Sequence, residues 1–576
     1  MFHYQIPHKA WLKPNLWDLI AFVVILGILG GLGFAATQMH RPYHVGTPLT
    51  ISLSPWMLPH YAAHTVLRMF IAFICSLVIT LTLAPLAAKN KHVEKFLIPL
   101  IDILQSVPIL GVLSITIVFF INLFPNHRLG PECAAIFAIF TSQVWNMILS
   151  FYQSLKTVPK TFYDISAIFH LSAWQRFWRV EVPYAIPGLL WNSMISASAG
   201  WFFLVAAEAI SVNNQQIMLP GIGSYISLAI SRMDLRALFY ATFTMFIVIL
   251  CYDQLFFRPL LSWATRFQDN DALENNPTTR SWVYQLLLKT RWIKKIHALF
   301  KKLSQKCVNP SYKRPYTPFN PIQRSETSKQ TFIYAWNIIV MGLVGFAVFA
   351  LWRCMRDSIR LDEIPHVLYL GAITTCKVGI LVMLCSLFWI PVGVWIGFRP
   401  KLSDRIQPII QFLAAFPANL VYPLFVTLIL RFHLNVEIWT SPLMILGTQW
   451  YILFNVIAGT MQIPKDLRWA AKSLGLKGWL WWKKLLLPAI FPYYITGSMT
   501  AAAGCWNASI VSDVLSWGDH TLIATGLGSY IALHSHTGDF SRVTLGIVVM
   551  CFYVLIINRL LWRPLYAFSS ARFVLE

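Results

Sequence analysis

Residues 464–492 read PKDLRWAAKSLGLKGWLWWKKLLLPAIFP, a short, basic, tryptophan-rich stretch between two long apolar runs. An earlier copy at residues 159–187 reads PKTFYDISAIFHLSAWQRFWRVEVPYAIP. The copies lie 305 positions apart, and Pro159/Pro464, Leu171/Leu476, Trp174/Trp479, Pro183/Pro488 and Pro187/Pro492 match without a gap. Each copy reads as two short helices. Gly475 permits the positive φ of a tight turn between them. Pro183 and Pro488 stand where a following helix begins, a position that needs no amide donor. Ala470 and Ala471 are small enough for another protein to pack closely against them.

The surroundings are apolar. Of 576 residues 57% are hydrophobic and 12% charged, and the mean hydropathy is +0.59, which excludes an ordinary soluble domain. A helix crossing the ~30 Å hydrocarbon core needs about 20 mostly apolar residues. Twelve runs fit: about 16–36, 62–88, 96–121, 133–155, 183–211, 237–258, 331–352, 366–397, 406–430, 440–462, 488–515 and 542–562. The expected fold is all-α, a polytopic membrane protein. No small-residue cleavage site follows the first run, which reads as a retained span. The nine cysteines are scattered without a CxxC, so no disulfide or zinc framework is expected.

A net charge of +23 raises the question of nucleic acid, but the positions of the charges answer it. Lys and Arg beside membrane spans collect on the cytosolic side. With the N-terminus inside, 21 basic residues fall in inner loops and 9 in outer loops, before the central linker is counted. Both Pro-bounded loops and both termini are therefore expected in the cytosol. The expected partner of most of the surface is the lipid bilayer, with no nucleic acid.

From Trp145/Trp450 to Leu260/Leu565 the 305-residue spacing is unbroken. It includes Trp201/Trp506, Glu208/Asp513, Gly221-Ile-Gly-Ser-Tyr/Gly526-Leu-Gly-Ser-Tyr and Arg258-Pro/Arg563-Pro. Upstream, Pro99/Pro408 and Pro108/Pro417 are spaced by 309, so the change falls in the outer loop after the third span of each half. An even number of spans returns the chain to one side, giving two parallel repeats with a pathway at their interface. The expected division is a first repeat at 1–265 (core about 62–260), a linker at 266–330 and a second repeat at 331–576 (core about 366–565). The linker has thirteen Lys/Arg against four Asp/Glu. Trp282, Leu286, Ile293, Ile296, Leu299, Phe300 and Leu303 share a helical face, as in a helix lying on an anionic leaflet. A solvated basic linker is the alternative.

Few residues carry chemistry. An acid at mid-membrane costs ~2.5–3.5 kcal/mol, so Glu208 and Asp513 need a cavity or a partner. Near the interface they read equally as structural acids or gate residues. Trp201, Trp506 and Asn507, one or two turns deeper, are pathway candidates, with packing as the alternative for Trp. No strand is expected before GIGSY or GLGSY, which read as tight turns or close helix contacts. No GxxxxGK[ST] occurs, so a triphosphate belongs on another subunit. Asp513, Asp519, His520, His534, His536 and Asp539 are ligand types without HxxxH or HExxH spacing, and no metal site is expected. No catalytic spacing emerges, and an enzyme is not expected.

In the second copy, AAKSLG followed by LLLPAIFP resembles the EAA loop of ATP-binding-cassette (ABC) importer permeases. The resemblance implies a cytosolic helix pair resting in a groove of an ATPase, hence two ATPase subunits carrying ATP and Mg. The matching positions in the first copy are Asp164 for the acid, Ile165 and Ser166 for the alanine pair, His170 for the glycine, then Leu171 and Pro183. In the second they are Trp469, Ala470, Ala471, Gly475, Leu476 and Pro488. Neither copy is complete, so two unequal sites are expected, the second coupling more tightly. FWRVEVPYAIPGL with Trp201 and Val205–Glu208 (VAAE) looks like the nitrate/sulfonate/taurine/bicarbonate branch. TAAAGCWNASIVSDVL at Thr500–Leu515 is similar to that branch's duplicated members. This implies a fused pair of six-helix, type I importer-like repeats in a bacterial cytoplasmic (inner) membrane. It further implies alternating access for a small anion, and a periplasmic or extracellular substrate-binding protein. The anion comes from the resemblance alone, since Lys and Arg are nearly absent from the spans. A secondary transporter, a fused permease for iron or thiamine, and a membrane scaffold are the other readings.

Overall fold

The computed structural model describes residues 16–39, 51–105, 107–212, 215–267, 281–290, 359–360, 362–518 and 520–572, with scattered positions between 341 and 353. The first repeat contains α1 (Leu16–Met39), α2 (Leu58–Lys89), α3 (Lys91–Leu104), α4 (Ile109–Leu123), α5 (Leu129–Lys156), α6 (Lys160–Ile168) and α7 (Val182–Glu208). A hairpin of β1 (Ala209–Val212) and β2 (Gln215–Met218) follows, then α8 (Ile222–Ser231) and α9 (Leu235–Tyr252). The second repeats this order with α10 (Glu363–Gly397), α11 (Pro400–Ala415), α12 (Tyr422–Arg431), α13 (Gln449–Met461), α14 (Lys465–Ser473) and α15 (Leu487–Ser512). Then come β3 (Val514–Trp517), β4 (His520–Ile523), α16 (Leu527–Thr537) and α17 (Phe540–Ile557). Among the described residues seven helical rods are long and apolar enough to span a membrane, nine if each of two bent pairs is one span. The 331–352 run lies almost wholly outside the described residues, as does the linker helix beyond a short segment at Trp282–Lys289.

Two expectations need correction. The runs at 96–121 and 406–430 are not straight spans. Each breaks before a proline, and in the second the two pieces meet at 77°; the 440–462 run is bent as well, by 45° between Leu446 and Gln449. Pro108 and Pro417 are extended at their breaks (φ −69, ψ 107 and φ −66, ψ 113). The proline ring also forces the preceding Phe416 out of the helical region, to ψ 126. The runs at 183–211 and 488–515 likewise stop short, at Glu208 and Ser512, and turn into antiparallel hairpins. A strand therefore does precede each GxGSY, contrary to expectation.

The second piece of each broken run crosses to the other repeat. Leu110, Leu113 and Ile117 of α4 are buried with Ile510, Leu527, Ile531 and Ile547 of the second repeat. Gly111 lies so close that a Cβ there would meet Ile547 at 3.1 Å. Reciprocally, Leu420, Tyr422 and Val426 join the core of the first repeat. Within the first repeat, small residues let the helices approach, Ala84, Ala87, Ala185 and Ala241 being wholly buried. The exchange of α4 and α12 locks the repeats side by side, with their Pro-bounded loops at one end and hairpins at the other.

Candidate functional site

The two Pro-bounded loops have the same backbone. Each first helix, α6 or α14, ends in a left-handed residue, His170 (φ 47) or Gly475 (φ 67). The Leu171 amide donates to the Ser166 carbonyl at 3.0 Å, and Leu476 to Ala471 at 3.0 Å, closing a Schellman turn. Glycine takes this conformation freely, whereas histidine does so at ~1–2 kcal/mol. Ser172 and Gln175 then form a capping box for the next helical turn. That turn runs through a π-helical segment, Phe177–Glu181 or Trp482–Leu486, into Pro183 or Pro488 and the long span. The loop's second helix and the span are thus one rod, Ala173–Glu208 or Gly478–Ser512.

The loops present apolar side chains outward. Ile165, Ile168, Phe169 and Trp174 are exposed in the first, and Trp469, Leu474 and Trp479 in the second. Asp164, His170, Ala470 and Gly475 are also exposed, while Leu171, Leu476, Pro183 and Pro488 are half-buried. Ser166 and Ala471 are not on this surface. They are 3% and 4% exposed and form the loop's inner base, so Ala471 is small to let its own chain close.

The loops are anchored by different physics. At the first, buried Glu181 pairs with Lys89 at the end of α2 (2.7 Å) and with Arg176 (3.2 Å). The second-repeat counterparts of Glu181, Arg176 and Lys89 are Leu486, Trp481 and Phe398. There Leu486 is fully buried and the Phe398 and Trp481 rings lie 5.4 Å apart. At the same end, hydrogen bonds from Lys156 and then Tyr152 hold the Glu94 carboxyl below its ordinary range and tie α3 to α5.

Glu208 and Asp513 each belong to an ionic network at the hairpin end. Arg68 of α2 donates to Glu208 (2.6 Å), to both oxygens of Glu132 (2.5 and 2.8 Å) and to the Pro220 carbonyl (2.9 Å). Thr65 and the Gly223 amide complete the Glu208 carboxylate. The second repeat rebuilds this with Lys377, which donates to Glu437 (3.2 Å) and the Thr525 carbonyl (2.8 Å) and stands 4.0 Å from Asp513. Gly221, Gly223, Gly526 and Gly528 occur in GxGSY because a Cβ on any of them would strike the acid or its helix. Arg68 and Lys377 were not among the candidates. Their signal was a cation at matching positions of two long apolar helices.

Between the repeats, part-way along the spans, lies a cavity of about 180 Å³. Gln105, Ile109, Trp145, Asn146, Ser198 and Phe202 line it from the first repeat, and Phe416, Tyr422, Thr448, Tyr451, Thr500 and Asn507 from the second. All lining side chains are uncharged. Of the pathway candidates only Asn507 reaches it. Trp201 is buried against Tyr252 beside a second cavity, and Trp506 beside a third. Glu208 and Asp513 line none of these three cavities. Among the described residues no three His, Cys, Asp or Glu side chains converge as a metal site. Asp519 lies outside the described residues, and Asp539 caps α17 and pairs with Arg542.

Residues 76–257 and 389–563 each match the family described as binding-protein-dependent transport system inner membrane component. The chain belongs to that family. It contains the family's domain twice, and it is a multi-pass, helical membrane protein of the ABC transporter permease class. A nitrate import permease protein of Leptolyngbya laminosa is 26% identical over 184 residues, 32% of this chain and 62% of that relative. A bicarbonate transport system permease protein of Synechocystis is 30% identical over 149 residues, 26% of this chain and 50% of the relative. A putative aliphatic sulfonates transport permease protein of Bacillus subtilis is 23% identical over 207 residues, 34% and 69%. The chain therefore spans about half to two-thirds of the length of these relatives.

Proposed function

We propose that this permease is the transmembrane subunit of an ATP-driven importer for a small anion of the nitrate, bicarbonate, sulfonate or taurine type. It sits in a bacterial cytoplasmic membrane with both termini and both Pro-bounded loops in the cytosol. Two separate ATPase subunits, carrying ATP and Mg, grip the loops, and a substrate-binding protein delivers the anion at the hairpin end. The observation that carries this reading is the apolar surface on each loop, whose first helix bears most of it and whose second helix is continuous with a span. An apolar side chain of that size gains about 1.5–3 kcal/mol on burial, so the loops offer a partner real affinity. Because loop and span form one rod, drawing the loops together moves the spans and changes which end of the cavity is open. A secondary transporter would need ion-coordinating or titratable groups along the path, and the cavity lining offers only neutral ones.

The test exchanges exposed apolar residues for serine, since bulky substitutions at Ser166 or Ala471 would disturb the loop's own base. Trp469→Ser with Leu474→Ser in one variant, and Ile168→Ser with Phe169→Ser in another, should each lower co-purification of the ATPase and anion-stimulated ATP hydrolysis at least tenfold. The second-loop variant should lose more. Full ATPase activity and retention in both variants would overturn the reading.

A further inference from the structure

The cavity beside Trp201 lies away from the central one, at the seam between α9 of the first repeat and α11 of the second, and holds about 300 Å³. The buried Met194, Ala197 and Trp201 of α7 form its inner wall. Phe246 and Phe412 meet across one edge, with ring centres 4.7 Å apart. Phe246, Leu250 and Ile409 also line it and are exposed on the outer face of the bundle, so it opens sideways between the repeats. In a membrane-spanning bundle that direction is lipid, and a chamber with apolar walls stays dry.

One end of the chamber is polar. Beyond Tyr252, α9 continues through Asp253–Phe257 into a helix at Arg258–Ala264. The Asp253 carboxylate accepts from Arg258 Nε (3.0 Å), Gln254 Nε2 (3.0 Å) and Gln411 Nε2 (3.3 Å), and all four residues line the cavity. The carboxylate is thus satisfied, while the terminal nitrogens of Arg258 have no hydrogen bond among the described residues. Leu235 to Arg258 is about 35 Å of helix, a little more than one hydrocarbon thickness. The polar end therefore sits at headgroup level on the side of the Pro-bounded loops. The charge there is basic. On α11 the exposed Lys401 and Arg405 continue the face that carries Pro408, Ile409 and Phe412 of the cavity wall, Arg405 standing three, four and seven residues before them. Asp404 is the one acid on that helix. Past Arg258, the Arg266 guanidinium lies 5.5 Å from the centre of the Tyr284 ring, in a segment whose Trp282 is exposed. Trp and Tyr favour this depth of a bilayer.

We propose that the chamber holds one acyl chain of an anionic phospholipid from the loop-side leaflet, with the lipid phosphate on Arg258 and with Lys401 and Arg405 selecting an anionic headgroup. Basic pockets between spans at this depth suit phospholipid headgroups, and a guanidinium meets a phosphate through paired hydrogen bonds. Because helices of both repeats wall the chamber, its occupant is a packing element of the seam between them. The inference needs only the membrane-spanning fold and goes beyond the anion reading above.

The experiment places the purified full chain in phosphatidylcholine vesicles with a trace of a photoactivatable probe. The probe is phosphatidylglycerol in one arm and phosphatidylcholine in the other, each with the reactive group part-way along one acyl chain, and cross-links are mapped by peptide mass spectrometry. The phosphatidylglycerol probe should label Leu250, Ile409 or Phe412 about fivefold more than the phosphatidylcholine probe, the worth of one basic residue beside an anionic headgroup. The exposed Phe239 and Phe243, nearer the hairpin end of α9, should take both probes equally. Arg258→Gln with Arg405→Gln should bring the ratio at the cavity close to one. Ile409→Trp, at the mouth, should lower labelling of Leu250 and Phe412 by both probes. The wild-type ratio is read without any variant, so a substitution that fails to fold leaves the test intact. Equal labelling of the cavity by both probes in the wild type, or labelling there no higher than at Phe239, would overturn the proposal. Suppression by inorganic phosphate beyond that of chloride at equal ionic strength would also overturn it, because free phosphate and not a lipid would then be the occupant.

Discussion

Arg68 is the most consequential single residue at the hairpin end, because it is ion-paired with two carboxylates that have no access to water. Its side chain is 0% exposed and those of Glu132 and Glu208 are 2% and 0%. Breaking a buried ionic group by removing one partner costs ~3–5 kcal/mol, since the charges left behind stay desolvated. The matching Lys377 holds a looser set. Glu437 is 43% exposed, and Asp513, one methylene shorter than Glu208, stands 4.0 Å away instead of in contact. Water can take over part of what Lys377 does. Arg68→Met should therefore lower the thermal unfolding midpoint of the detergent-solubilised chain severely or prevent its recovery, while Lys377→Met costs a third as much or less. Arg68→Lys should fall between, because an ammonium lacks the planar fork that meets both oxygens of Glu132. Equal loss from Arg68→Met and Lys377→Met would contradict this ranking.

At the scale of elements, the two Pro-bounded loops share a backbone but not an anchor. The first hangs on Glu181, whose partners Lys89 and Arg176 are 42% and 35% exposed. The second hangs on Leu486, the Phe398–Trp481 contact and Arg468, whose guanidinium lies 4.8 Å from the centre of the Phe398 ring and donates to the Thr460 carbonyl (3.3 Å), with no carboxylate in the Glu181 position. Ionic anchors weaken with salt and with loss of charge, and apolar ones do not. Glu181→Gln should raise amide exchange across α6 several-fold and leave α14 unchanged, and raising the ionic strength should act in the same direction on the wild type. Identical exchange in α6 before and after the substitution would remove the ionic anchor. The sequence announced the loops well, because the turn, the prolines and the duplication are local signals. It announced Glu181 poorly, because a lone acid in FWRVEVP gains its meaning from Lys89, far back in the chain. The breaks at Pro108 and Pro417 were hidden for a related reason: hydropathy runs straight across them, and only the pre-proline constraint bends the backbone. The Arg68–Glu208 pair joins residues 140 apart, a contact that no periodicity reports. Repeat count, span composition and inter-repeat spacing were legible, whereas partners of buried charges were not.

Because the molecule contains the same unit twice, each half serves as a reference for the other, and the comparison bears on stability. The first repeat fills the space between α2, α7 and α9 with rings. Phe73 meets Phe256 at 5.3 Å and Phe257 at 5.7 Å, Phe70 meets Phe256 at 5.6 Å, and Tyr252 meets Trp201 at 5.4 Å. In the second repeat the counterparts of Phe70, Phe73, Tyr252 and Phe256 are Gly379, Val382, Ile557 and Leu561. These smaller residues line a cavity of about 540 Å³ that opens sideways past exposed Met383 and Leu387. A gap of this kind forfeits the dispersion contacts that close-packed rings provide, and it accompanies the looser ionic set on the same repeat. The second repeat should therefore open first. In hydrogen–deuterium exchange the amides of α10, α15 and α17 should exchange at lower denaturant than those of α2, α7 and α9. A Cβ at Gly379 meets nothing within 4 Å, so a larger side chain has room. Gly379→Phe with Val382→Phe, the residues the first repeat uses, should narrow the difference between repeats. If the two repeats exchange together in the wild type, or if the filled variant opens earlier, the packing difference does not govern which half yields.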